Sequence, residues 1–227
     1  MSTGPLPKPP ATSPGSSAPE GLAADPQANT APDRDPRDGI LFTQRGKLHP
    51  LCALGALLLA PPSLAEVVAG VLLLLAWAAL RVWAIRHIGG AARVHARKAR
   101  ERKRLVTSGP FALVRNPLYV ANIAGLTGTC LVLAPVWYAA LAGLAAFAWY
   151  AAVVRWEEGV LVEQYGAEYA AYRQRTPWLV PSLGRVLRGG YGAAALPLSK
   201  ALRRERGLAV IVAAVVVLAV GKWWLVG

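Results

Sequence analysis

Four apolar runs, Leu51 to Ala60, Leu64 to Ala84, Leu118 to Val154 and Leu208 to Val220, limit what this chain can become. A helix rises about 1.5 Å per residue, so about twenty apolar residues cross a hydrocarbon core roughly 30 Å thick. Extended to Ile85, the second run supplies 22 residues. The third is too long for one crossing, and Pro135 divides it into Leu118–Ala134 and Val136–Val154. The chain is 55% hydrophobic and 16% charged, with the charges almost wholly between the runs, which is unusual for one soluble domain. The fold class that follows is all-α: a multi-pass helical membrane protein.

Residues 1–39 hold nine of the eighteen prolines and almost no large apolar side chain. Such a tail cannot bury enough surface to offset its ordering entropy, and disorder is expected. The first run is short. Extended back to His49 and ended by Pro61-Pro62-Ser63, it reads as the first arm of a tight hairpin whose second arm is Leu64–Ile85. His87-Ile-Gly-Gly90 then punctuates the helix end. Arg93 to Arg104 is basic throughout, either a solvated segment near anionic lipid or a loop that folds over a ligand.

Pro117 can open the third span at its first helical position. Small residues, Ala121, Gly125 and Gly128 on one arm and Ala140, Gly143, Ala146 and Ala151 on the other, permit close helix approach in lipid. Arg155 to Arg175 reads as an amphipathic helix, with Glu158, Leu161, Tyr165, Tyr169 and Tyr172 on one face. Ser182 to Arg206 is basic and Gly-rich, a segment for the membrane surface. The final run, Leu208 to Leu225, ends in Lys222, Trp223 and Trp224 as an interfacial anchor. Three regions result: a Pro-rich tail (1–39), a membrane core (40–185), and a basic surface segment with a C-terminal transmembrane helix (186–227). About five spans are expected, two tight hairpins and a last crossing.

The net charge of +13 raises the question of a nucleic-acid partner. Arg81 to Arg104 carries nine basic residues against one acid, Glu101, between two apolar runs, and no recognition module accompanies it. Positive charge retained on the cytoplasmic side gives the same total, so the partner is the lipid bilayer and not nucleic acid. Residues 155–206 hold nine basic side chains against five acidic ones, while both outer turns are nearly chargeless. The N-terminus and both polar segments are therefore expected inside, and the C-terminus outside. Cys52 and Cys130 lie within apolar runs, match no metal-ligand spacing and read as small core residues.

Leu105-Val-Thr-Ser-Gly-Pro-Phe-Ala-Leu-Val-Arg-Asn-Pro-Leu-Tyr119 enters the second hairpin, and Arg155-Trp-Glu-Glu158 leaves it. The turn at Pro135 brings those ends side by side, so Arg115 and the Glu157–Glu158 pair should converge although about forty residues separate them. Charge this close to lipid is costly unless paired or functional. Either an arginine, Arg115 or Arg155, neutralises a glutamate and pins the hairpin, or the cluster binds a charged ligand. Adjacent helical residues diverge by about 100°, so the two glutamates cannot do the same job.

These blocks, with Glu163-Gln-Tyr-Gly-Ala-Glu-Tyr-Ala-Ala-Tyr172 and Pro177-Trp-Leu-Val-Pro181, resemble the isoprenylcysteine carboxyl methyltransferase family, which shares its membrane architecture with the phospholipid N-methyltransferases. The resemblance covers about residues 50–185. It implies an S-adenosylmethionine-dependent methyltransferase acting on a hydrophobic or lipid-like acceptor, with carboxyl O-methylation favoured. Its Arg-His-Pro-x-Tyr and Glu-Glu motif falls on Arg115, Pro117, Tyr119, Glu157 and Glu158, with Asn116 in place of the His. Asn keeps a hydrogen-bond donor but takes up no proton. Arg115 suits the cofactor's carboxylate, Glu157 or Glu158 its cationic part, and the backbone from Leu105 and Val106 to Gly109 and Pro110 its adenine. Arg115 and Glu158 are the residues to which this assigns catalysis.

Overall fold

The structure is a computed structural model that describes Gln44 and residues 46–89, 105–181 and 183–226. The expected disordered tail and the basic loop Arg93–Arg104 lie outside the described residues. The chain opens with α1 (Leu48–Leu57) and α2 (Leu64–Ile88). A 3-10 turn, Gly109–Ala112, precedes α3 (Pro117–Leu133) and α4 (Val136–Arg175). Two short helices, α5 (Leu183–Arg188) and α6 (Leu198–Arg204), lead into α7 (Arg206–Val226). Every regular element among the described residues is helical, and α2, α4 and α7 are long and apolar enough to cross a membrane. The multi-pass helical fold read from the apolar runs is observed, but three of the five expected spans reach crossing length among the described residues; α1, with 10 residues, and α3, with 17, are shorter.

Several boundaries differ from the expected ones. Helix α1 has ten residues and rises about 15 Å, half of a hydrocarbon core. It stops at Leu57, before Ala60, because Pro61 disfavours helical backbone at the residue ahead of it. Helix α2 runs three residues past Ile85 to Gly89, whose φ of 68° suits only glycine. The larger correction is in α4. The expected separate amphipathic helix from Arg155 is a continuation of the span, since nothing near Val154 interrupts it. The first break comes at Gly166, with φ 51° and ψ −125°. The stretch before that break rises about 45 Å, so α4 projects well beyond the apolar layer.

Helix α3 is the centre of the bundle, packing against α1, α2, α4 and α7. Its small residues make this possible. A Cβ on Gly70 of α2 would lie 2.8 Å from the Gly128 carbonyl oxygen, and one on Gly128 would lie 2.9 Å from that of Gly70. The two backbones touch at that crossing. One turn away Gly125 lies against the Trp77 ring, and Gly143 of α4 meets Thr127. Close approach therefore serves α2–α3 as much as the second hairpin. Cys130 is buried and Cys52 half-buried among apolar side chains, as expected.

The two turns are clipped together at one end of the bundle. Ser63 and Glu66 form a reciprocal capping box at the start of α2. The other carboxylate oxygen of Glu66 accepts from the Val136 amide at 2.6 Å, where α4 begins. Lys222 joins this end too. It was expected beside Trp223 and Trp224 as an interfacial anchor, and both tryptophans are exposed. The lysine instead turns inward and donates to the carbonyls of Ala56 at 2.8 Å, Ala60 at 3.3 Å and Leu133 at 2.5 Å. The unpaired carbonyls at the ends of α1 and α3 carry negative partial charge, which a buried ammonium can satisfy.

At the other end, the segment between α4 and α7 packs back on α2. The Leu196 amide donates to the Arg86 carbonyl at 2.9 Å, and Arg204 donates to Gly89. Arg81 bridges Glu205 at 2.9 Å and Asn122 at 2.7 Å, fixing the start of α7 to α2 and α3.

A Gly128→Val substitution should force the α2–α3 crossing apart, an overpacking cost of about 1–3 kcal/mol. In detergent, thermal unfolding should shift down by roughly 3–10 °C. Gly159→Ala, whose added Cβ meets nothing within 4 Å, should leave the transition unchanged or raise it slightly.

Candidate active site

The entry to α3 is locked by its own backbone chemistry. Ser108 is extended, Gly109 takes φ 63°, and Pro110 sits in the first turn of the 3-10 segment. Gly109 is required there on two counts. Its φ lies in the left-handed region, and a Cβ would come within 2.3 Å of the His87 ring at the end of α2. Its amide donates to the Tyr191 carbonyl at 2.5 Å, while Ser108 and the His87 ring share a hydrogen bond of 3.1 Å. Gly109 and Pro110 are buried, and Leu105 and Val106 are half-buried.

Arg115 follows, and it is the junction of the site. Its Nε donates to Glu158 Oε1 at 2.7 Å. Its Nη1 donates to the carbonyls of Arg173 at 2.9 Å and Thr176 at 2.5 Å. Its own amide donates to the Pro177 carbonyl at 2.8 Å. Both charged side chains are about nine-tenths buried, at 10% and 9% exposure, so screening by water is weak. The second oxygen of Glu158 lies 3.6 Å from Arg173 Nε, and Tyr169 hydrogen-bonds the same carboxylate. The Nη2 group of Arg115 donates to nothing among the described residues.

The second pair is separate. Tyr119, one turn into α3, donates its hydroxyl to Glu157 Oε2 at 2.8 Å and stacks on Tyr150 with ring centres 5.1 Å apart. The two glutamates thus have different partners, as their divergence around the helix requires. Asn116 is buried and directs its amide nitrogen to the Trp178 carbonyl at 3.4 Å, and Pro117 takes the first helical position. Arg155, the other arginine available to the glutamates, is exposed.

The break at Gly166 completes the site. Past it the chain folds back over the entry to α3, burying Tyr169 and Tyr172 and presenting the carbonyls of Arg173 and Thr176 to Arg115. Tyr172 donates to the Phe111 carbonyl at 2.7 Å, closing this cover over the 3-10 turn. The motif residues Arg115, Asn116, Pro117, Tyr119, Glu157 and Glu158 meet in one place, with the segment from Leu105 to Pro110 beside it. The sequence reading missed the covering backbone at 173–178, because carbonyls carry no residue signature. It also missed His87, whose position against Gly109 depends on how α2 packs. Gly166 was an available signal, a glycine inside a polar helix, but Gly159 is another and stays helical.

Chemically, this is a charge-balanced, largely buried cluster with one guanidinium N–H pair in reserve and a carboxylate held by a tyrosine hydroxyl. Among the described residues, no group of three or more His, Cys, Asp or Glu is placed to hold a metal ion.

Comparison with known proteins gives two curated relatives. The chain is 36% identical over 103 residues to the cobalt-zinc-cadmium resistance protein CzcN of Cupriavidus metallidurans, covering 45% of this chain and 43% of that one. It is likewise 36% identical over 103 residues to the nickel-cobalt-cadmium resistance protein NccN of Alcaligenes xylosoxydans xylosoxydans, covering 45% of this chain and 44% of the relative. The chain therefore spans less than half the length of the curated relatives it matches. No solved structure matches it. The model of the phospholipid methyltransferase family matches residues 65–168, from the start of α2 to just past the break in α4. The matched segment carries Arg115, Asn116, Pro117, Tyr119, Glu157 and Glu158, and it is similar to the phospholipid methyltransferases, in keeping with the resemblance to the isoprenylcysteine carboxyl methyltransferase-like membrane methyltransferases.

Proposed function

We propose that this chain transfers a methyl group from S-adenosylmethionine to a lipid-like or lipidated acceptor at the cytoplasmic face of the membrane, with the C-terminus outside. The observation that carries this reading is the buried Arg115–Glu158 pair, 2.7 Å apart, beside the Tyr119–Glu157 pair within a segment of a methyltransferase family. The donor set fits the cofactor. The spare Nη2 of Arg115 matches a carboxylate, Glu157 and Glu158 match the α-amino group and sulfonium, and the Leu105–Pro110 backbone matches an adenine. Asn116 and Pro117 hold Arg115 and Tyr119 in register. When bound, S-adenosylmethionine supplies an electrophilic methyl on sulfur.

The protein's share of the chemistry is orientation and electrostatics. Asn116 takes up no proton, and methyl transfer to an ionised carboxylate needs no base. The residues hold donor and acceptor in line, and their charges are fixed before reaction. The acceptor enters sideways from lipid. Carboxyl O-methylation is the reading that the resemblance favours, and the match to phospholipid methyltransferases supports a second, N-methylation of a phospholipid amine. The relatives' names add a setting, metal resistance, in which we place this methyl transfer.

Incubating the membrane-inserted protein and a membrane extract with methyl-labelled S-adenosylmethionine should label an organic-soluble product. Release of the label as methanol in mild base identifies an ester and hence O-methylation; base-stable label identifies the amine. Arg115→Lys, which keeps the charge but loses the fork, should reduce transfer at least tenfold. No labelled product under any condition would overturn the proposal and favour the other class of reading, a non-catalytic membrane adaptor whose basic loops and tail recruit partners or anionic lipid.

The ion pair also has a stability signature. Arg115→Ala leaves the buried Glu158 with only the longer, more exposed ionic contact to Arg173 and should destabilise by about 3–5 kcal/mol, whereas the Arg115→Met/Glu158→Met double variant should be close to neutral while inactive. Thermal unfolding in detergent compares the two.

A further inference from the structure

Helix α2 changes character as it reaches the polar end of the bundle. Ala79 and Val82 are followed on the same side by Trp83 and then by Arg86. Helix α6, held against this stretch by the backbone hydrogen bond from Leu196 to Arg86 and by Arg204 on Gly89, adds Leu198 and Leu202, one helical turn apart. Together they line an open groove of about 410 Å³. Its apolar part lies toward the middle of α2, the tryptophan at interfacial depth and the arginine at the polar end. That is the order in which a phospholipid presents acyl chain, glycerol region and phosphate.

Charge selects the kind of lipid. Arg86 spends its Nε on the Leu196 carbonyl at 3.4 Å, a long bond, and no carboxylate among the described residues ion-pairs with it. Lys200, Arg203 and Arg206 lie nearby in the chain, on α6 and at the start of α7, all exposed. The neighbouring Glu205 is ion-paired with Arg81. Three exposed basic side chains against one ion-paired carboxylate make the surroundings of the groove cationic, and basic side chains near an anionic surface attract it.

We propose that this groove seats an anionic phospholipid of the surrounding leaflet, its acyl chain between α2 and α6 and its phosphate against Arg86. The lipid would bridge α2 to α6, an element beyond the family-matched segment, and fasten the last fifth of the chain to the core. This seat does not depend on methyl transfer.

The full chain in nanodiscs of phosphatidylcholine alone, or of phosphatidylcholine with phosphatidylglycerol, tests the proposal by thermal unfolding. Phosphatidylglycerol should raise the transition by several degrees, since a ligand that binds only the folded state stabilises it. Arg86→Gln and Ala79→Phe, the second filling the groove from an exposed position, should each lose at least half of that shift. In phosphatidylcholine, Ala79→Phe should unfold like the parent, showing that its fold is intact. Lys200→Gln/Arg203→Gln should lose less, and mainly at low salt. Full retention of the shift in both groove variants would overturn the proposal. So would its complete loss in Lys200→Gln/Arg203→Gln, or an equal shift with neutral lipid.

Discussion

The polar end of the bundle depends on one buried ion pair. Arg115 stands where an irregular segment becomes α3, and Glu158 stands on α4 beyond the hairpin turn. Their 2.7 Å contact fixes the two helices in register, and the remaining bonds of Arg115 capture the carbonyls of Arg173 and Thr176. One guanidinium therefore organises three pieces of chain. Removing two charges from water is expensive, and such a pair is tolerated only when its hydrogen bonds are met. Here they are nearly all met, leaving the Nη2 N–H pair without a partner among the described residues.

The rest of the molecule holds that pair at the right depth. The Gly70–Gly128 crossing lets α2 lie directly on α3, which brings His87 beneath Gly109 at the entry to α3. At the far end, Glu66 joins the two turns, and Lys222 draws the ends of α1, α3 and α7 together through carbonyls. The lipid-facing surface is left to large exposed apolar side chains such as Leu72, Leu144 and Val217. At that end the charged groups Glu66 and Lys222 are satisfied by backbone partners at helix ends.

Much of this was legible in the sequence, for a geometric reason. A hairpin with a proline turn places its two free ends together, so Arg115 was expected near the Glu157–Glu158 pair, though not which glutamate it or Arg155 would take. The small residues on α3 announced close crossings, though not that α2 would be the nearest partner. The end of α4 at Arg175 was read correctly, but where the helix breaks was less legible. Leu161 and Val162 continue the helix smoothly past Arg155, and only the conformation of Gly166 marks the break. Helix α1 and Lys222 depend on tertiary partners: a ten-residue apolar helix and a C-terminal lysine carry the same letters whether they face lipid or carbonyls. The site's backbone cover from Arg173 to Trp178 had no side-chain signature at all.

Titration of the purified protein with S-adenosylmethionine in a calorimeter tests the central claim most directly. The account predicts one saturable site in the parent protein and a loss of at least tenfold in affinity for Arg115→Lys with the fold unchanged. An absence of binding heat in the parent, or undiminished affinity in the lysine variant, would contradict it.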